Sequence, residues 1–309
     1  MPETSQTKKT VIFTDYNCNN NCIFCIDKNK RAIKGKDFKL ITKEIKEAKE
    51  RGTTYLEFIG GEVTIRKDSL DIFSYAKKVG FDTIALVTNG RMLSYKDYAR
   101  KLLDSGVSHL VISIHGHTKT LHDKLTESEG SYEQMIKGLA NLRSLGFDNI
   151  GSNTTIVKQN YKYLPRIGQF LLDNKIYNSE FIFVDPNYGA AKDNFKKLVP
   201  HISVIAPYVR KCLALKKGDK LVNHWHIRYV PLCYFVEFLD QVSEIEEVKR
   251  FKTEHIAPDF VNLSVEESRA SVGRIKTKRC DGCKLFDICE GVWKEYIEQY
   301  GDSELKLIR

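Results

Sequence analysis

Asp15-Tyr16-Asn17-Cys18-Asn19-Asn20-Asn21-Cys22-Ile23-Phe24-Cys25 sets three cysteines in a C-x3-C-x2-C spacing directly after the apolar run Val11 to Phe13. The run reads as a strand entering a polar loop. Three thiolates this close can hold one soft metal site. A cubane iron–sulfur cluster has four irons, so three cysteines leave one iron open to a substrate, whereas an electron-carrying cluster normally has a full set of ligands. On spacing alone, a zinc knuckle or a group of buried thiols are the other readings. Further along, Tyr55-Leu56-Glu57-Phe58-Ile59-Gly60-Gly61-Glu62 is a β-type run ending in two glycines and a carboxylate. Glycines at a strand end permit close backbone approach or positive φ, and an acid placed there can meet a cation. Taken by itself, this segment is an ordinary strand-to-loop turn.

Together these two stretches resemble the radical S-adenosylmethionine (SAM) enzymes, whose cysteine signature has this spacing with an aromatic residue, here Phe24, before the last cysteine. The resemblance implies that Cys18, Cys22 and Cys25 hold a [4Fe–4S] cluster whose free iron is chelated by SAM. One electron then cleaves the sulfonium to a 5′-deoxyadenosyl radical, which takes a hydrogen atom from the substrate. It also implies that Phe24 packs on adenine, and that Gly60, Gly61 and Glu62 form the family's Gly-Gly-Glu motif at the methionine end of SAM. A reducing partner such as flavodoxin or ferredoxin is implied as well.

The chain has 309 residues, 42% of them hydrophobic, enough for one large core or a core with a smaller appendage. Met1 to Thr10 is polar, and no later apolar run approaches a membrane span, so a soluble, cytoplasmic protein is expected. The eight cysteines fall into an N-terminal and a C-terminal group instead of spreading as a disulfide framework. The net charge of +9 is scattered, with local excess at Lys28 to Lys36 and Arg274 to Arg279. Such runs are usually solvated faces; no recognised binding fold accompanies them, so nucleic acid is not the expected partner.

From Val11 to about Asp185 strand and helix patterns alternate. Strands are expected at Val11–Phe13, Tyr55–Ile59, Thr83–Val87, His109–Ile114, Asn149–Ile156 and Glu180–Val184, with helices between them. This pattern means an α/β fold with a parallel sheet and right-handed crossovers. The resemblance implies an open (β/α)6 partial TIM-type barrel over residues 1–195, with chemistry at the carboxyl ends of the strands. There, Thr88-Asn89-Gly90 is a turn similar to one common in the family, and Ser113 and Asn153 are the polar positions expected to contact SAM. His115 or His117 could face substrate, though a loop histidine is more often a satisfied hydrogen-bonding residue.

Past Asp185, a helix is expected over Leu198–Leu213 and a strand over Leu221–Val230. Cys280, Cys283 and Cys289 follow in a C-x2-C-x5-C spacing, and Cys233 completes four thiolates. This tail resembles the auxiliary-cluster domains called SPASM and twitch. The SPASM pattern continues to a further cysteine where Trp293 stands here, so the shorter twitch form with one auxiliary [4Fe–4S] cluster over residues 196–309 is implied. A structural zinc site is the alternative use of the same four residues. Cys212 is either a buried thiol or a replacement for Cys233.

An auxiliary cluster fully bound by protein cannot cleave SAM but can take an electron from a substrate radical. Dehydrogenation, crosslinking or, with a hydrogen donor, epimerisation are the outcomes open to such a pair. Relatives with these tails modify ribosomally made peptides, oxidise small alcohols in antibiotic pathways, or rearrange GTP. The last is disfavoured because the chain ends Leu305 to Arg309 without that family's twin-glycine tail. Oxidative modification of a ribosomal peptide is the expected function, with a small-molecule tailoring enzyme as the alternative. Outside enzymes the alternative is a zinc-binding nucleic-acid module.

Overall fold

The structure, a computed structural model, describes residues 6–218, 220–222 and 224–309. Six strands and their helices follow one another as the alternating pattern predicts: β1 (Thr7–Phe13), α1 (Phe38–Glu50), β2 (Tyr55–Ile59), α2 (Ser69–Val79), β3 (Thr83–Thr88), α3 (Lys96–Asp104), β4 (His109–Ser113), α4 (Lys119–Thr126), α5 (Ser131–Ser144), β5 (Ile150–Ile156), α6 (Leu164–Asp173) and β6 (Asn178–Phe183). Neighbouring strands β1 to β6 pair in parallel and in sequence order.

Along each strand, alternate side chains go to opposite faces. Ile12, Leu56, Phe58, Leu86, Leu110, Ile112 and Phe181 are fully buried on the face the helices cover. The other face is half-buried and polar, with Ser113, Asn153, Glu180 and His226 in register across neighbouring strands. The helices present apolar residues at intervals of three and four to the sheet: in α1, Ile41, Ile45 and Ala48. Asp37 caps α1 by accepting from the Leu40 amide, 2.8 Å.

Among the described residues, the rest of the chain adds two two-stranded sheets of its own and otherwise extends the main sheet. After α7 (Gly189–Asp193), α8 (Phe195–Leu198) and α9 (Ile202–Leu213), a small hairpin of β7 (Lys216–Lys217) and β8 (Lys220–Leu221) leads to β9 (His224–Arg228), α10 (Ser243–Arg250), β10 (Phe251–Ile256) and β11 (Val261–Asn262). The nine-stranded sheet runs β11-β10-β1-β2-β3-β4-β5-β6-β9, so β9 and β10 extend the six-stranded unit on opposite edges, both in parallel. Between those edges α10 packs on both strands. The expected helix over Leu198–Leu213 is interrupted after Leu198, where Val199 turns extended because the ring of Pro200 disfavours a helical residue before it, and it resumes at Ile202. Of the strand expected over Leu221–Val230, Asn223 lies outside the described residues. The tail finishes with α11 (Val265–Ser268), the paired short strands β12 (Arg274–Ile275) and β13 (Val292–Trp293), and α12 (Lys294–Tyr300).

Candidate functional site

The Cys18–Cys25 loop leaves the carboxyl end of β1 and is clamped from three sides. Gly61 N and Glu62 N donate to Asp15 O (2.9 Å) and Asn17 O (2.7 Å). A side chain on Gly61 would put its Cβ 1.9 Å from Asn17 O, and one on Gly60, at φ +141, would meet Asp15 O at 2.3 Å. The glycines are therefore required by the backbone of the cysteine loop itself. On a second side, Asn21 N and Ile23 N donate to Thr126 O and Leu125 O at the end of α4. On the third, Ala190 N donates to Cys25 O, 3.0 Å, and Gly189 (φ +57) approaches so closely that a Cβ would lie 2.6 Å from Cys25 O.

Glu62 is 1% exposed. Its carboxylate accepts from Thr64 N (3.1 Å), Thr64 Oγ1 (2.5 Å), Thr88 Oγ1 (2.8 Å) and Asn89 N (2.7 Å). The Gly-Gly-Glu and Thr-Asn-Gly turns are thus one unit, and both oxygens of the acid expected at the methionine end of SAM accept bonds from the protein. Asn89 passes the connection on, donating to Asn19 Oδ1 (2.7 Å) and to Cys18 Sγ (3.8 Å). Cys18 Sγ also accepts from Asn20 N, 3.3 Å.

All three loop thiols are half-exposed and free. Burial pushes Cys22 up to about 12, with Cys25 and Cys18 close enough to add to the effect. Burial raises Cys18 and Cys25 as well. Thiols held this way lose their protons on binding metal, so loading and deprotonation are coupled. Three neighbouring thiols, two sulfur-directed donors on Cys18 and an approach open to solvent fit a cluster with three protein ligands. Phe24 is 8% exposed and meets His115 edge-on at 4.7 Å. His115 Nδ1 accepts from Thr155 N (3.2 Å), and burial drives its pKa down to about 3, so the ring is neutral. Ser113 and Asn153 face each other on β4 and β5, half-buried on the polar side of the sheet.

The four C-terminal thiols come together across 57 residues of sequence. Cys233, Cys280, Cys283 and Cys289 line one cavity, together with Lys276 and Lys306 among others. Gly291 N donates to Cys289 Sγ, 3.3 Å, and the Lys306 amide donates to Cys233, whose thiol burial nonetheless raises to about 11. Among the described residues, no group of three or more His, Cys, Asp or Glu converges on a point where it could hold a single metal ion. That the four cysteines line one cavity is compatible with a cluster. Cys212 is not among them; it is 1% exposed, with Sγ against Gly168 in the core.

Sequence patterns did not announce the joint between the two cysteine groups. The segment after β6 brings Gly189 and Ala190, the first residues of α7, against Cys25, and its Asn187 reaches the tail through Gly273 O and Glu295 N. Asp185 stands at its start, accepting from Asn187 N (2.8 Å). Burial raises it to about 6 against that hydrogen bond and the nearby Arg274; the rule that chemistry sits at the carboxyl ends of strands would have found it. Across the β9–β10 seam, Arg228 pairs with Glu180 (2.7 Å) and Glu247 (3.0 Å), Arg269 with Glu247 and Glu290 (both 2.8 Å), and Arg274 with Glu244 (2.6 Å) and Glu290 (3.2 Å). No local signal marks these pairs, because the partners lie far apart in sequence.

The model of the family described as the Radical SAM superfamily matches residues 12–171. The chain belongs to that superfamily: it is an enzyme that uses a [4Fe–4S] cluster and SAM. Fe-coproporphyrin III synthase of Methanosarcina barkeri is 31% identical over 182 residues, 56% of this chain and 43% of that protein, so the match spans less than half of that relative. A probable GTP 3′,8-cyclase of Saccharolobus solfataricus is 26% identical over 295 residues, 91% of this chain and 87% of that protein. In fold, the chain is similar to Streptococcus suis SuiB bound to S-adenosylmethionine, with TM-score 0.68, 16% identity and coverage of 98% of this chain and 76% of that one. It is also similar to anSMEcpe with bound AdoMet, with TM-score 0.66, 14% identity and coverage of 97% and 93%. Membership of an enzyme superfamily displaces the reading as a zinc-binding nucleic-acid module. The basic run fits this, since Lys28, Lys30 and Lys36 pair with Glu127, Asp259 and Glu44. Among the described residues, no helix is long and apolar enough to cross a membrane.

Proposed function

We propose that this radical SAM enzyme modifies a ribosomally made peptide, either by a two-electron oxidation that gives a crosslink or a dehydrogenated residue or, with a hydrogen donor, by epimerisation. The observation that carries the oxidative part is the convergence of Cys233, Cys280, Cys283 and Cys289 on one cavity, a full ligand set for a second [4Fe–4S] cluster. When bound, the first cluster and SAM supply a radical that removes a hydrogen atom, and the second supplies an acceptor for the electron left behind. Cys18, Cys22 and Cys25 hold the first cluster, and Phe24 lies beside the adenine. Gly60 and Gly61 bring the strand end to the methionine end of SAM, while Glu62 keeps the Thr88–Asn89 turn in place. Ser113 and Asn153 contact SAM from the polar side of the sheet, and flavodoxin or ferredoxin supplies the reducing electron.

At the seam between β9 and β10, charge favours a peptide over a nucleoside triphosphate. At the β9–β10 seam the guanidinium groups of Arg228, Arg269 and Arg274 are held by four carboxylates, Glu180, Glu244, Glu247 and Glu290. Three positive and four negative charges leave that seam without the surplus a triphosphate needs. SuiB bound to precursor peptide SuiA and anSMEcpe with bound AdoMet and Cp18Cys peptide share the fold. The second reading, a GTP-directed enzyme, is favoured by the relative named GTP 3′,8-cyclase; a tailoring enzyme for another small molecule shares its chemistry.

Metal analysis after anaerobic reconstitution, followed by 5′-deoxyadenosine release under reduction, tests the proposal. About eight irons per chain are expected, with negligible zinc and slow release that GTP does not stimulate. About four irons would remove the oxidation step, and GTP-dependent release would replace the peptide by the nucleotide.

A further inference from the structure

The cavity lined by the four C-terminal cysteines has one asymmetry of charge. Among the described residues, its lining includes two lysines, Lys276 and Lys306, and no carboxylate. Neither lysine is paired with an acid there. Lys276 Nζ donates to Phe286 O, 2.6 Å, and sits 4.3 Å from the centre of the Phe286 ring. Lys306 Nζ lies 4.4 Å from the centre of the Tyr234 ring. Cation–π contact and a carbonyl hold the ammonium groups of these two cavity-lining residues without neutralising them. Lys276 is half-buried and Lys306 exposed, so solvent screens the second more than the first. Two amides add to the same side of the balance, from Gly291 to Cys289 Sγ and from Lys306 to Cys233.

Positive charge beside a four-thiolate group acts on its redox state. One-electron reduction makes the group one unit more negative and takes up no proton, so nearby cations and amide donors favour the reduced form and raise the potential.

We propose that Lys276 and, more weakly, Lys306 set the potential of the auxiliary group so that it accepts an electron from the substrate. This rests on the proposal that the four thiols hold an iron–sulfur cluster. In that step the substrate radical formed by hydrogen abstraction loses one electron to the cluster and one proton to solvent. A one-electron carrier protein later takes the electron away. Lys276 and Lys306 tune the acceptor and touch neither substrate nor SAM.

The test needs no substrate. In full-length protein with Cys18, Cys22 and Cys25 replaced together by alanine, only the auxiliary group remains, and its midpoint potential is read by titration followed in electron paramagnetic resonance. Lys276→Met is expected to make reduction about ten-fold less favourable, a shift of about 59 mV downward. Lys306→Met should move it less, and Lys276→Arg should restore the parent value. Iron content should be unchanged in all three. Unchanged potentials with iron still bound would overturn this inference alone, whereas zinc without iron would overturn the cluster reading beneath it. If Lys276→Met lost its iron, Lys276→Gln and Lys276→Arg would decide: equal potentials in these two refute a role for the charge.

Discussion

Replacing Glu62 by alanine withdraws the acceptor on which Thr64 N, Thr64 Oγ1, Thr88 Oγ1 and Asn89 N converge. The two hydroxyls can turn to other partners; the two amides are fixed by the backbone. A buried donor left unpaired costs about 1–3 kcal/mol, so two of them predict a loss of roughly 2–6 kcal/mol in Glu62→Ala. Glu62→Gln keeps one oxygen for three of the donors but turns an NH2 toward Asn89 N. One amide is then unpaired, for roughly 1–3 kcal/mol. The damage should extend to metal loading, because Asn89 steadies Asn19 and Cys18. Urea unfolding of the metal-free protein, with iron content after reconstitution, gives both readings. An alanine variant within about 0.5 kcal/mol of the parent and fully loaded with iron would refute the view that this carboxylate is the keystone of the cysteine loop.

Three other expectations follow from the same contacts. Gly189→Ala, at the start of α7, should lower iron loading nearly as much as Gly61→Ala, because each Cβ would collide with the backbone of the cysteine loop; normal loading in both contradicts the clamped loop. Cys212→Ala should keep all the iron and cost roughly 1 kcal/mol as a core truncation, while Cys233→Ala should lose about four irons; metal analysis separates them. For pH, burial raises the Glu247 carboxyl, but Arg228 and Arg269 hold it down to about 2 against an ordinary 4.5. A depressed carboxyl stabilises the fold above its unfolded pKa, so this contribution is lost as pH falls from about 4.5 toward 2. The urea midpoint should therefore drop more steeply across that window in the parent than in Glu247→Gln, and equal slopes would exclude the seam network as the cause.

The reading from sequence was secure where chemistry is local. Three cysteines within eight residues, and a strand ending Gly60-Gly61-Glu62, name the class because spacing along the chain is also spacing in space. The six parallel strands were legible for the same reason, as each is a short β-type run set between helical patterns, even where β5 and β6 bury Ser152, Thr154 and Ser179 among their apolar residues. In contrast, β10 was missed: Phe-Lys-Thr-Glu-His-Ile has no strand-like apolar alternation, and it lies beside β1 because its polar groups find distant partners. Glu254 takes Arg51 and Thr10, and Thr253 N takes Glu266.

The same limit explains the site. The family resemblance placed Gly60, Gly61 and Glu62 together at the methionine end of SAM, but only the folded arrangement shows Thr64, Thr88 and Asn89 bonded to the Glu62 carboxylate. The four C-terminal thiols could be counted in the sequence; that they share one cavity with Lys276 and Lys306, while Cys212 is left in the core, was decided by packing. Residue type and short-range order thus determined which reaction class this chain serves. Which groups face one another across the seam was set by long-range burial, where a charge is tolerated only beside a partner the sequence places tens of residues away.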